Sequence, residues 1–468
     1  MEKLSKIKEL DMTGVKDRPS LTEGPLFVKI ITYVIPIILT GVLQLLYNTA
    51  DQIVVGRFSG DPNALAAVGS TGSATALVVN IIINISAGAI VVLSQSFGAR
   101  QDKLISDAVH TVVSFAGIAG IVIAIVGFGV TRPLLVAMGT KPELLDSATL
   151  YMRIVMCGVP GSVMYNFASS VFRAKGDSKT PFIILTSTGL VNVVLNLVFV
   201  IVFKMGIAGV AVATITAQYL SALAVLILLV RTDESYKLIL KKLSISLPML
   251  KRILIVGIPS GIQSGFFAVS NMLVQTSVNT LSLPEIGGNT VGGAIDSYSY
   301  TVLNAYYQGT ITFVGQNFGA GKMDRVKKTL LYCALQVLVV GIAVSAVALI
   351  FIRELSLLFV DMTLPNAELI VNAAAVRCMI ILPLYFVEGW MDVLTGYQRG
   401  LGSSLRPMIV TLFSVCVLRV LWTSFVFPSF GTAESLYIIY PISWSVCALL
   451  HLIFSMRVTY KLNKKERL

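Results

Sequence analysis

Charged side chains are scarce in this chain, at 13% of its 468 residues, where a soluble protein carries roughly 25%. With 55% hydrophobic residues and a mean hydropathy of +0.83, it holds more apolar surface than a water-soluble core absorbs. Histidine and cysteine are also few. His110 and His451 have no metal-type companions, and Cys157, Cys333, Cys378, Cys416 and Cys447 are scattered through apolar runs, which excludes a disulfide framework, a redox pair and a zinc cluster. No phosphate loop, nucleophile elbow or nucleic-acid motif is present, and the polar connections are too short for an extramembrane domain. No metal site, organic cofactor, nucleic-acid partner or enzymatic activity is expected. The first 24 residues lack the apolar stretch and cleavage site of a secretory signal and read as a cytoplasmic tail.

What is there instead is a succession of long apolar runs, such as residues 108–130, 183–203, 209–230 and 330–352, each long enough to cross a ~30 Å hydrocarbon layer as a helix. The reading is an all-α membrane protein of about twelve transmembrane helices. The net charge of +12 then becomes a topology signal. With the first tail inside, about 28 of the 36 Lys and Arg fall on that side, about five (Arg57, Arg132, Lys141, Lys204, Arg353) fall opposite, and Arg153, Arg377 and Arg419 sit within spans. A multi-pass protein of the cell membrane with both termini cytoplasmic is expected.

The two halves of the chain repeat each other at an offset of roughly 221 to 226 residues. Ile35-Pro36 answers Ile258-Pro259, Gln95-Ser96-Phe97-Gly98-Ala99 answers Gln316-Asn317-Phe318-Gly319-Ala320, and Pro160 answers Pro383. Arg173-x-x-Gly176 with Pro181 answers Arg399-x-x-Gly402 with Pro407. Six spans per half is an even number, so both halves enter the membrane in the same sense. They form two six-helix bundles related by a pseudo-two-fold axis along the membrane normal, with substrate between them. The expected division is a tail at 1–25, bundles at 26–231 and 250–460, a basic linker at 232–249 and a second tail at 461–468. Pro36, Pro160, Pro259 and Pro383 fall inside spans 1, 4, 7 and 10, where each removes a backbone hydrogen bond and permits a hinge.

An ionisable group at the bilayer centre costs roughly 2.5 to 3.5 kcal/mol, so those retained are functional candidates. Asp51 lies toward the far end of span 1, Asp296 in span 8, and Glu388 and Asp392 one turn apart in span 10. Desolvation favours the protonated form of a carboxyl, which suits proton exchange, and its charge suits a cationic substrate with aromatic faces such as Tyr300 and Tyr307 nearby. Glu388 and Asp392 share a helix face, so they are expected to share a proton or to pair with Arg377 or Arg419. Trp390, Trp422 and Trp444 read as interfacial anchors or packing.

Several motifs carry a family resemblance. Asn48-Thr49-Ala50-Asp51 with Val55-Gly56-Arg57, Ala66-Ala67-Val68-Gly69, and Phe172 to Pro181 (FRAKGDSKTP) resemble the multidrug and toxic compound extrusion (MATE) transporters, as do Gly206 to Thr214 and Gly315 to Gly321. The resemblance runs from about residue 26 to 460 and implies an exporter of the bacterial cytoplasmic membrane. It would exchange H+ or Na+ inward for small organic cations or amphipathic compounds outward, by alternating access and as a monomer. It implies a cation site at Asp51, Asn192, Asn196 and Thr214, with Na+ at Asp51 among the options. Asn196 stands where many relatives have Asp, which leaves one carboxylate in this half. In the second half it implies substrate or proton roles for Gln263, Asp296, Glu388 and Asp392.

A flippase for lipid-linked precursors shares this architecture and stays as the alternative, although such proteins often add helices and cationic cavity residues. A major-facilitator transporter would carry a charged Gly-x-x-x-Asp-Arg-type loop after span 2, where residues 95–101 stand instead.

Overall fold

The computed structural model describes residues 21–58, 64–360, 362 and 365–466, so residues 1–20 of the expected tail lie outside it. Among the described residues there is no strand. The first half forms α1 (Leu26–Phe58), α2 (Ala64–Gly98), α3 (Asp102–Ala137), α4 (Pro142–Lys175), α5 (Lys179–Leu197, continued by a π-helical turn at Val198–Val202) and α6 (Gly206–Arg231). The second half forms α7 (Leu247–Val278), α8 (Leu283–Gly319), α9 (Met323–Ile350), α10 (Ala367–Gly400), α11 (Leu405–Phe430) and α12 (Ile439–Glu466). Eleven described helical segments are long and apolar enough to cross a membrane. The twelfth is α8, 37 residues long, which carries Asp296, Asn304 and Gln308 along its length.

The helix ends follow from local chemistry. Gly176 closes α4 at φ +107°, a left-handed position that suits glycine, and its N–H returns to the Phe172 and Arg173 carbonyls. Asp177 then opens α5, its Oδ1 accepting from the N–H groups of Lys179 and Thr180 at 3.0 Å. The Gly-Asp pair of the repeated loop is thus a helix stop followed at once by a helix start. The α8 start is a capping box in which Ser282 and Glu285 satisfy each other's end of the turn.

The prolines behave unequally. Pro36, Pro160 and Pro259 lie inside continuous helices, and only Pro383 interrupts one, at a 3-10 turn spanning Leu382–Leu384 within α10. The linker is shorter than expected because α7 already begins at Leu247. It is held to the first half by His110, whose Nε2 accepts from the Ile239 N–H at 3.1 Å, and by Thr111, whose hydroxyl accepts from the Ser246 N–H at 3.0 Å.

Two large apolar cores define two lobes, and α1 and α7 cross between them. The start of α1 (Leu26, Ile30, Tyr33, Val34) is buried in the second-half core, whereas Val54 and Val55 at its other end belong to the first. In the reverse sense, Met249 and Ile253 of α7 are buried in the first-half core, while Val274 and Val278 pack with Phe427 and Leu436. Each lobe therefore contributes the first turns of one helix to the other. The hydrophobic pattern of α1 and α7 gives no sign of this, because a membrane helix is apolar on every side.

The lobes press together at the end where the basic loops lie. A Cβ added to Gly88 would sit 2.2 Å from the Ile253 carbonyl oxygen, and one on Gly257 would sit 2.5 Å from that of Ile85. Small residues here let the α2 and α7 backbones meet, as in close membrane-helix packing. On α7 the contact runs out toward the other end: a Cβ on Gly261 would still lie 2.8 Å from Ile85, and one on Gly265 has nothing within 4 Å among the described residues. The seam is closed at the basic end and splays toward the end that carries Asp51.

Candidate functional site

Asp51, Asn192 and Asn196 are brought together by α1 and α5. Asn196 is fully buried and its Nδ2 donates to Asp51 Oδ1. The Asn192 amide is satisfied when its nitrogen faces Asp51 Oδ1, at 3.1 Å, and its oxygen accepts from the Thr214 N–H at 3.3 Å. Thr214 thus reaches the cluster through its backbone. Its hydroxyl donates to the Val210 carbonyl at 2.9 Å and keeps its oxygen lone pairs as acceptors. Asn196 Oδ1 is buried without a partner. One carboxylate flanked by amide donors, with a free amide oxygen beside it, matches a single positive charge. A proton needs only Asp51, and a sodium ion would use the Asp51 and Asn196 oxygens.

The second-half carboxylates separate into two environments. Asp296 is paired with Arg377, whose NH1 lies 2.7 Å from Asp296 Oδ2, and both side chains are largely buried. Arg377 also donates to Asn289 through Nε at 3.1 Å. The expectation that Arg377 or Arg419 pairs with Glu388 and Asp392 is overturned. Arg377 is turned to α8, and Arg419 lies over Tyr440 and donates to Ser443 at 3.2 Å and Asn271 at 3.0 Å. Arg377 and Glu388 are separated by about three helical turns, roughly 16 Å along α10, which puts the carboxylate beyond the reach of that guanidinium.

Glu388 is buried, and its Oε2 has no partner. It lies in the first turn of Tyr385–Gly400, the half-helix that restarts after Pro383, where unpaired N–H groups and the helix dipole favour negative charge. Asp392, one turn on, accepts from Asn304 at 3.1 Å, and Asn304 also donates to the Tyr300 hydroxyl at 3.2 Å.

Gln263 belongs to a network that the sequence reading missed. It accepts from Arg399 NH2 at 2.8 Å and donates to the Thr411 hydroxyl at 3.2 Å, while Arg399 NH1 donates to the Tyr307 hydroxyl. Thr411 in turn lies 3.2 Å from His451 Nε2, and Gln398 holds the other ring nitrogen at 3.2 Å. Five helices of one lobe meet in this chain. Its signal in the sequence was the run of polar residues inside apolar spans, which marks contacts without naming their partners.

A family model described as MatE matches the chain twice, at residues 36–198 and 259–424. The chain belongs to the MatE family. Each match begins at the repeated proline, Pro36 or Pro259, so the family's unit is the half-chain found in the repeat. The chain is 26% identical to the probable multidrug resistance protein YoeA of Bacillus subtilis over 452 residues, 94% of each protein. It is 27% identical to YpnP, described in the same words and from the same organism, over 86% of this chain and 89% of that one. Among solved structures, MATE in complex with MaL6 superposes with a TM-score of 0.88 at 22% identity, covering 96% of this chain and all of that one. That likeness shows the fold, two lobes of membrane helices. As a MatE protein this is a multi-pass membrane protein.

Within this MatE chain the Asp296–Arg377 pair reads as structure, since each buried charge is matched by the other. Replacing Arg377 by Met strands Asp296 and is expected to cost about 3–5 kcal/mol, seen as a lower thermal midpoint in detergent. Adding Asp296→Leu should recover most of the loss. A single variant no less stable than Arg353→Met, at an exposed pair, would show that the bridge does not hold the lobe.

Proposed function

We propose that this protein exports organic cations and amphipathic compounds in exchange for inward flow of Na+ or H+, by alternating access of its two lobes. The observation that carries the reading is the Asp51 cluster, a lone carboxylate held by Asn196 and Asn192 with the Asn196 oxygen left free. Multidrug resistance in the names of YoeA and YpnP supports the export role. Supporting alternating access, the seam is tight at the basic end and splayed at the Asp51 end. With both termini on the cytoplasmic side, the splayed end faces outward and Asp51 is open to ions entering from there. Glu388 and Asp392 supply negative charge for a cationic substrate in the other lobe.

The flippase reading is less well supported. A lipid-linked phosphate requires free cationic groups, and Arg377, Arg399 and Arg419 are each engaged by carboxylate, tyrosine, glutamine or asparagine partners. The test is transport in proteoliposomes with proton and sodium gradients imposed separately, using a fluorescent organic cation. Gradient-dependent export with at least one ion is expected, and its absence with both would refute the exporter reading.

A further inference from the structure

The tail residues next to the membrane lie across the closed seam. Leu21 and Thr22 are 6% and 5% exposed, so this segment is packed although it precedes the first helix. The second lobe holds its backbone. Arg325 donates to the carbonyls of Leu21 at 3.2 Å, Glu23 at 3.3 Å and Gly24 at 3.1 Å, and Lys322 donates to that of Thr22 at 3.1 Å. The Leu21 N–H donates to Gln316 Oε1 at 3.3 Å. Its side chains bridge the two lobes: Leu21 is part of the second-half core and Glu23 lies 3.7 Å from Lys322, while both also reach the first lobe. Leu21 covers Gly176, where an added Cβ would lie 2.9 Å from Leu21 Cγ, and Glu23 pairs with Arg100 at 3.0 Å.

We propose that residues 21–24 are a strap that locks the basic end of the two lobes shut, and that the strap must let go of the first lobe each time this end opens. The asymmetry of its contacts says which half releases. Several cation-to-carbonyl bonds tie the strap to the second lobe, and the start of α1 is buried in the same core, so strap and second lobe move as one piece. The contacts that break are Leu21 on Gly176 and Glu23 with Arg100. Gly176 is suited to this: it has no side chain to obstruct Leu21, and its left-handed φ of +107° already sets the loop's shape. The strap is thus a gate latch carried on one lobe and seated on the helix stop of the other.

This inference rests on the alternating-access reading, and its test needs no transported compound. Ser94 is buried in the seam against Gly315, so Ser94→Cys on a background without the five native cysteines reports opening of the basic end to an impermeant thiol reagent. Leu21→Ala with Glu23→Gln is expected to raise the labelling rate from the basic side by at least about fivefold, the low end of typical couplings between sites. In the opposite direction, a short cross-link between Glu23→Cys and Arg100→Cys, formed in folded protein, should reduce labelling to background and stop transport until it is cleaved. Unchanged labelling in the double variant, or full labelling and transport with the cross-link in place, would overturn the proposal.

Discussion

Replacing Asp51 by Asn is expected to abolish ion-driven accumulation while leaving the protein folded. The two side chains have the same shape, and an amide oxygen still accepts from Asn196 Nδ2, so the local packing of α1 on α5 persists. The charge does not. With Asn196 in place of a second carboxylate, Asp51 is the only acidic group of this cluster among the described residues, and its loss removes the charge that neutralises an entering cation there. One-for-one exchange of two monocations moves no net charge, so the ion's concentration gradient drives it: a roughly fiftyfold ion gradient holds about 2.3 kcal/mol and sustains a roughly fiftyfold substrate gradient under tight coupling. The accumulation ratio in proteoliposomes given that gradient should therefore fall from about fifty to about one. Thermal stability in detergent should stay close to that of the parent. An Asp51→Asn protein that still accumulates substrate would move the coupling site to Glu388 and Asp392.

Much of the architecture is legible in the sequence. The apolar runs give twelve helices because hydrocarbon thickness sets their length, and the repeated Pro, Gln-x-Phe-Gly and Arg-x-x-Gly positions give two like halves. Asp51 was found by its cost in an apolar layer, and the family resemblance supplied Asn192 and Asn196 beside it. What stayed hidden depends on partners across space. Arg377 and Glu388 lie on one span in sequence, yet Arg377 reaches across to Asp296 on α8 while Glu388 stands at a new helix start after Pro383. The crossing of α1 and α7 between lobes was hidden for a related reason, since uniformly apolar helices do not reveal which neighbour they face. The role of Gln95 and Gln316 needed both: the repeat showed that they correspond, and only the structure shows that each reaches the other lobe.

That correspondence makes the second large prediction. Gln95 Nε2 donates to the Gly400 carbonyl at 2.9 Å, and Gln316 Nε2 donates to the Ala174 carbonyl at 2.6 Å, so each half uses the same residue to cap the opposite half's helix. The backbones come close enough because the motif ends in glycine. A Cβ on Gly98 would lie 1.9 Å from the Gln316 carbonyl oxygen, and one on Gly319 would lie 2.1 Å from that of Gln95. An ordinary C···O contact needs about 3.3 Å or more, and the obstacle is backbone, so the helices must separate by more than an ångström. Gly98→Val or Gly319→Val is expected to hold the basic end open, abolish transport and raise thiol labelling of Ser94→Cys from that side. Gly69→Ala and Gly72→Ala, which meet nothing within 4 Å among the described residues, serve as controls on α2, the helix of Gly98, and should transport normally. Because both glycines serve one crossing, the double variant should be little worse than either single one, a non-additivity that independent sites do not show. Labelling increments that add in full, or a single variant with parental transport, would mean that this crossing is not the closed gate.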